Sequence, residues 1–204
     1  MTKESVEKAI VTKSETFHLD NEEKTLVTMY LVNNVTEVPE ELVETMVRIF
    51  NNEIEKGDTY PHDKIMTIQE FKDYWFQYFT GIMLVGKETL LLSNNRNFDK
   101  EFLGTFYIKP NYIGRCSHNC NAGFIVNPEA RGKKIGTAMG KQYLKWAPQL
   151  GYTYSVFNLV FETNIASWKI WDSLGFQRIG RVKNAAVLKG HEKKVDAIVF
   201  GKDL

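Results

Sequence analysis

The sequence predicts an α/β (α+β) fold: one mixed, mostly antiparallel sheet flanked by helices. Three observations carry that expectation. Runs of β-forming residues recur from Thr25 to Phe200. Stretches with apolar residues three and four apart stand between them. A strand–helix–strand unit occupies the middle of the chain. The 204 residues suffice for one domain, which at this size buries about 70% of its unfolded surface.

Taken in order, residues 1–24 read as an N-terminal extension or edge element. Thr25 to Asn33 is a strand, rich in Thr, Val, Leu and Tyr. Thr36, Pro39, Glu40 and Glu41 read as a helix start, with a capping residue, a proline near the first turn and acids at the positive end of the dipole. Leu42, Met46, Ile49, Phe50 and Ile54 give that helix one apolar face, and Gly57 ends it. Residues 58–64 are loop. Thr67 caps a second helix with Phe71, Trp75 and Tyr78 on a face. Ile82 to Val85 is a strand, and polar residues 87–100, with Asn94, Asn95, Arg96 and Asn97, form a loop. Phe102 to Ile108 is a strand stopped by Pro110; Asn111 to His118 is a turn-rich crossing. Asn121 to Val126 is a strand, Ile135 to Leu150 a helix, and Tyr154 to Phe161 a nearly continuous apolar strand of the kind buried on both faces. Asn164 to Ser173 is a short helix closed by Gly175, and Phe176 to Val182 and Val195 to Phe200 are the last strands.

Composition narrows the function. Lys+Arg 26 against Asp+Glu 25 leaves a net charge of +1, which argues against a nucleic-acid binder working by bulk electrostatics. Two cysteines cannot build a disulfide scaffold. No apolar run approaches the ~18 residues of a membrane span. The first twenty residues carry Glu4, Glu7 and Glu15 and lack an apolar core, so neither a secretory signal nor a mitochondrial transit peptide is expected. The expectation is a cytoplasmic protein, with a mitochondrial location left open, and no membrane or nucleic-acid partner.

The segment that carries chemistry runs from Asn121 to Phe176. A strand leads into Arg131, Gly132, Lys133, Lys134, Ile135 and Gly136, and then a helix. Glycines between a strand end and a helix start turn backbone N–H groups toward a ligand, and the helix dipole adds positive potential; together these cradle a phosphate. The spacing is neither a Walker loop nor a dinucleotide fingerprint. A solvated basic turn ahead of a helix is the bland alternative.

Arg131 to Gly136 resembles the acetyl-CoA pyrophosphate loop of the GCN5-related N-acetyltransferase (GNAT) superfamily, patterned [RQ]-x-x-G-x-[GA]. Asn164, Ala166, Trp171, Gly175 and Phe176 resemble that family's second signature, N-x-x-A-x-x-x-Y-x-x-x-G-F, and follow in the family's order. Residues 103–112, 115–124, 155–161, 166–172 and 195–204, with the Tyr74-Trp75-Phe76 region, are similar to a fungal subgroup that acetylates the proline analogue L-azetidine-2-carboxylate. The likeness spans roughly residues 40–204. Lys134 departs from the motif by replacing its glycine, and Trp171 by replacing a tyrosine often assigned as the acid for the leaving thiolate; the subgroup shares both departures.

The resemblance implies a single GNAT-like domain with splayed strands at the acetyl-CoA site, residues 103–182 holding the cofactor and substrate core. It implies acetyl-CoA as co-substrate, no metal, and direct acetyl transfer through a ternary complex. Phe124 supplies a backbone oxyanion donor. Phe124, Ile125 and Val126 lie along the pantetheine arm, and Arg131, Gly132, Lys133, Lys134, Ile135 and Gly136 hold the pyrophosphate. Asn164 and Trp171 lie near the thioester, Asn164 catalytic through its amide. Asn121 contacts the substrate by its side chain, and the Asn158 and Leu159 backbone amides bind its carboxylate. Two N–H groups freed from an apolar strand imply a bulge or splay there. The implied substrate is a small cyclic secondary amino acid, such as L-azetidine-2-carboxylate, cis-4-hydroxyproline or a proline-metabolism intermediate, in detoxification and oxidative-stress protection. Related enzymes are often dimers, so a homodimer is implied.

Other readings stay open. Asn164 suits a helix N-cap, and the Asn158 side chain suits a loop-satisfying role. Cys116, His118 and Cys120 offer three soft ligands at alternate positions, but zinc sites add a second pair, so no metal is expected. The histidines, His18, His62, His118 and His191, are scattered, and no general base emerges. Tyr74, Trp75, Phe76, Tyr78 and Phe79 line a pocket or fill the core. Another amine as acceptor, or a CoA-binding domain without turnover, are the competing functions.

Overall fold

Alternation of large apolar residues on both faces of the strands is what lets helices cover each side of one sheet. The computed structural model describes residues 13–87, 91 and 96–204. Residues 1–12 of the N-terminal extension, and Asn94 and Asn95, lie outside the described residues. Eight strands, β1 (Glu15–His18), β2 (Leu26–Val32), β3 (Phe79–Val85), β4 (Phe102–Pro110), β5 (Asn119–Val126), β6 (Tyr154–Phe161), β7 (Gln177–Ala186) and β8 (Val195–Asp203), lie in the order β1-β2-β3-β4-β5-β6-β8-β7. Every neighbouring pair is antiparallel except β5–β6. The mixed, mostly antiparallel sheet is therefore as expected.

Among the described residues five helices flank it: α1 (Glu40–Lys56), α2 (Ile68–Trp75), α3 (Phe98–Glu101), α4 (Ile135–Gln149) and α5 (Ile165–Ser173). α1 and α2 cover one face, where Phe50, Phe71 and Trp75 pack with Ile82, Phe102, Tyr107 and Ile125. α4 and α5 cover the other, where Met139, Tyr143, Trp146 and Trp171 pack with Phe106, Ile108, Phe124 and Phe157. Each such side chain, taken from water, contributes about 1.5–3 kcal/mol.

Several boundaries differ from expectation. Thr36 does not start α1; it lies in a 3₁₀ turn, Val35–Glu37, that Asn34 caps in a capping box with Glu37, and Pro39 is the cap of α1. β4 runs on through Pro110, because β3 pairs only as far as Ile108 and the missing proline N–H faces no strand. Residues 87–100 are not all loop, since Asn97 caps the short α3. α2 ends at Trp75, which leaves Tyr78 outside the helix and 46% exposed. β6 is not buried throughout: Leu159 is 44% exposed.

That exposure belongs to the feature that makes the site. β5 and β6 pair in parallel at only two positions, Asn119 with Tyr154 and Cys120 with Ser155, and then diverge. Phe124, Phe157 and Trp171 fill the wedge on the α4–α5 face, with ring centroids 4.5–6.1 Å apart. β6 also bulges against β8: Phe157 pairs with Phe200 and Val160 with Ile198, so Asn158 and Leu159 together oppose Val199. A bulge frees backbone amide from the ladder, as the sequence led one to expect at these two residues.

Candidate functional site

The α4 N-terminus is the first part of the site. Its first-turn N–H groups, on Ile135, Gly136 and Thr137, precede the first helical bond, from Ala138 N–H to Lys134 C=O. No side chain caps it and no acid stands in its first turn. Gly132 turns with φ +81 and has open space where a Cβ would stand. Lys134 takes the left-handed conformation, φ +61, that the motif's glycine would adopt freely. A non-glycine residue there costs about 1–2 kcal/mol. The uncapped amides, the acid-free turn and the open glycine corner fit a pyrophosphate.

The other loop residues differ from one another. Arg131 turns away: its guanidinium pairs with buried Glu53 of α1 at 2.9 Å. Lys134 lies 3.6 Å from Asp20, while exposed Lys133 makes no ion pair among the described residues. Gly136 serves packing as well as its amide, since a Cβ would meet Ile170 of α5 at 2.8 Å. One turn on, a Cβ on Gly140 would meet Leu174 at 2.5 Å. These two glycines let α5 lie close on α4. Ile135 is buried in the core beneath the loop.

β5 supplies the second part. Leu103 C=O bonds Asn127 N–H, and Asn119 C=O bonds Asn111 N–H, so odd-numbered β5 residues hydrogen-bond to β4. The amides of Phe124 and Val126 therefore face the opening toward β6. Ile125 does not: its amide is on the β4 side, opposite Thr105, and its side chain is buried on the α1–α2 face. The Phe124 carbonyl, also in the opening, accepts from Tyr60 Oη at 3.1 Å.

Asn164 caps α5, its Oδ1 accepting from Ser167 N–H at 3.2 Å. The cap uses only the oxygen; Nδ2 makes no hydrogen bond among the described residues. Capping and donation are thus two ends of one amide, not alternatives. Trp171 is committed elsewhere. It is buried among Phe124, Phe157 and Phe176, and its indole N–H donates to Ser167 Oγ at 3.0 Å.

On the α1–α2 face the opening is bridged by three amides. Asn121 of β5 donates to Asn111 Oδ1 at 2.9 Å, and Asn158 of β6 donates to the same oxygen at 2.6 Å. Asn111 donates back to Asn158 Oδ1 at 3.2 Å. The Asn158 side chain thus satisfies the loop after β4, and only its backbone remains for a ligand. Asn111 was not singled out in the sequence, although it stands directly after the proline that closes its strand.

Beside this bridge lies a cluster that sequence reasoning missed. Tyr107 crosses Gly123, whose Cβ would meet the ring at 2.5 Å. Tyr107 Oη and Tyr74 Oη are 3.0 Å apart, and Lys109 Nζ lies 5.1–5.2 Å from both ring centres. Burial raises the pKa of Tyr60, Tyr74 and Tyr107, so all three stay neutral at pH 7. Burial lowers that of Lys109, which has no carboxylate partner within 4 Å among the described residues. His62 packs against Tyr74, Phe50 and Tyr60 at 5.1–5.9 Å. Of the five aromatics weighed as a pocket, Tyr74 belongs to this cluster and buried Trp75 backs it, packing edge-on against the Tyr107 ring at 4.9 Å; Phe76 and Phe79 are core and Tyr78 is exposed.

Among the described residues no three His, Cys, Asp or Glu side chains are grouped to hold a metal. Cys120 is buried against Tyr143 Oη at 3.1 Å, its pKa pushed up to about 11 by burial, while Cys116 and His118 are exposed.

The sequence profile of the acetyltransferase (GNAT) family matches residues 52–176. The chain is 48% identical to N-acetyltransferase aca1 of Schizosaccharomyces pombe over 166 residues, 79% of each chain. A GCN5-related N-acetyltransferase from Kribbella flavida superposes with a TM-score of 0.71 at 26% identity, covering 86% of this chain and 98% of that one. A GNAT superfamily phosphinothricin acetyltransferase from Sinorhizobium meliloti, in complex with AcCoA, shares the fold with a TM-score of 0.67 at 15% identity, covering 86% and 88%.

Proposed function

The chain belongs to the acetyltransferase (GNAT) family and is an acetyl-CoA-dependent N-acetyltransferase, and we propose that its acceptor is the ring nitrogen of a small cyclic amino acid, such as L-azetidine-2-carboxylate or cis-4-hydroxyproline. The observation that carries this reading is the opening between β5 and β6, with a phosphate-fitting helix start on one face and a ring-lined polar cluster on the other. Neutral phenols and a Lys109 with no carboxylate partner among the described residues suit a small acceptor bearing a carboxylate. They offer little to a polyamine, which seeks acids.

Acetyl-CoA supplies the activated acetyl thioester. The residues of the chain do the rest. Ile135, Gly136 and Thr137 amides hold the pyrophosphate, and Lys133 and Lys134 add charge. The Phe124 N–H stabilises the oxyanion of the tetrahedral intermediate, a donor whose worth lies in being fixed beforehand. The Val126 amide orients the pantetheine arm. Asn164 Nδ2 donates to the sulfur as negative charge grows there, an interaction stronger in the transition state than before it. Asn121 Oδ1, without a partner among the described residues, accepts from the acceptor nitrogen, and the bulge amides at Asn158 and Leu159 take its carboxylate with Lys109. Detoxification of proline analogues and protection under oxidative stress, by a cytoplasmic homodimer, complete the reading; sedimentation checks the dimer.

The test is thiol release from acetyl-CoA with L-azetidine-2-carboxylate, cis-4-hydroxy-L-proline, L-alanine, spermidine and no acceptor. Turnover confined to the cyclic acids is expected. Turnover with spermidine alone overturns the substrate, and acetyl-CoA binding without turnover favours a regulatory domain.

A further inference from the structure

The mechanism above lacks a group to receive a proton. The acceptor amine reaches the enzyme at pH 7 as an ammonium ion, whose nitrogen has no lone pair to attack with. The acceptor-side cluster contains one side chain able to take that proton and used by nothing else. His62 Nδ1 is shielded from solvent and has no hydrogen-bond partner among the described residues. A buried polar atom left unpaired costs about 1–3 kcal/mol, so its retention calls for a partner that comes and goes.

We propose that His62, through Nδ1, accepts the proton that the acceptor ammonium must lose before its nitrogen attacks the thioester. The inference rests on the reading above that this cluster receives the acceptor.

Position supports it. The His62 ring is 5.1 Å from the Tyr74 ring and 5.9 Å from the Tyr60 ring, centre to centre. Tyr60 in turn holds the carbonyl of Phe124, whose N–H faces the opening. The imidazole therefore lies on the acceptor side of the strand that carries the oxyanion donor. Its ionisation supports it too. Burial is the main cause of a pKa below the usual 6.5; Lys109 of β4 adds to it, and Asp63 of the same loop opposes it. Phe50 of α1 and Tyr74 of α2, the other faces packed on the ring, bring no charge. The ring is thus neutral at pH 7 and ready to accept.

The steps balance. One N–H bond of the ammonium breaks and an Nδ1–H bond forms. The freed lone pair makes the C–N bond, and the C–S pair leaves with sulfur. The remaining amine proton goes to the thiolate, giving the CoA thiol, and the imidazolium returns its proton to water.

The experiment measures kcat/KM from pH 5.5 to 9 for wild type, His62→Gln and His62→Phe, with acetyl-CoA Kd measured alongside. In wild type the profile should be flat from pH 9 down past the usual histidine range and fall off only at the acid end, as His62 protonates. His62→Gln should lower kcat/KM about 100-fold at pH 7.5. Its profile should then climb about tenfold per pH unit, because only pre-formed free amine reacts. Kd should hold in both variants. Activity in His62→Phe within threefold of wild type, or a wild-type profile that itself climbs to pH 9, overturns the proposal. If wild type ignores the cyclic acids but uses another amine, the substrate reading falls alone. The same three profiles on that amine then decide His62.

Discussion

The two faces of the opening are built on different principles. The α4–α5 face offers backbone: the first-turn amides of α4 and the strand amides of Phe124 and Val126. The α1–α2 face offers side chains, with Tyr60, His62, Tyr74, Lys109, Asn111 and Asn121 arriving from separate segments. Backbone recognition tolerates substitution, as Lys134 in a glycine's conformation demonstrates. Side-chain recognition does not, so the acceptor face should set specificity while the other sets only that acetyl-CoA is used.

That contrast can be broken or sharpened in four ways. The largest effect is expected at Asn164, whose oxygen caps α5 and whose Nδ2 is left to donate. Asn164→Ala should lower kcat about 10²–10³-fold through loss of a donor and stability by about 1 kcal/mol through loss of the cap. Asn164→Asp keeps the cap oxygen but not the donor, so it should match the first loss in steady-state kinetics and escape the second in thermal unfolding. Equal unfolding losses would reduce Asn164 to its cap.

Next come the glycines. Gly123→Ala drives a methyl into the rigid Tyr107 ring and should cost about 1–3 kcal/mol, raising the acceptor KM while leaving acetyl-CoA Kd alone. Gly140→Ala meets chiefly the flexible end of Leu174 at 2.5 Å, with the Trp171 ring farther off at 3.3 Å. It should cost less and show its effect in acetyl-CoA Kd by calorimetry. A crossed pattern would mean that the faces are not separable.

Lys134→Gly removes the left-handed strain and should raise stability by about 1 kcal/mol, read as Tm. It should weaken acetyl-CoA binding at low salt, where a lost charge counts most. The smallest effect is expected of Tyr74→Phe, which deletes one hydroxyl contact to Tyr107, about 0.5–1.5 kcal/mol of stability. Its kinetic effect should lie in the acceptor KM.

The same division explains what could be read in advance. The sheet, α4 and α5 were legible because alternation, spacing at three and four, and glycine or asparagine at the ends are local signals. So was the loop at 131–136, a contiguous motif. Yet the motif did not tell that Arg131 would go to Glu53, because that partner is a buried acid 78 residues away. Nor did it tell that Trp171 would spend its N–H on Ser167. Tyr60 and Lys109 were invisible for a stronger reason, and His62 stood out only as one of four scattered histidines. Each is unremarkable among its neighbours in sequence, and only the packing of α1, α2 and β4 brings them together.

The two rungs joining β5 to β6 have a consequence for the folded chain as a whole. They divide one sheet into panels of five and three strands along a seam. Hydrogen exchange should reveal it: the amides of Ala122, Phe124 and Val126, though central in the sheet, should exchange far faster than their neighbours facing β4. Acetyl-CoA lying in the gap would slow them. Because it binds only the joined panels, it should raise the unfolding free energy by the linkage term RT ln(1 + [L]/Kd), about 2.7 kcal/mol at a hundred times Kd, and Tm with it. The substrate would then serve as mortar in the wall it enters.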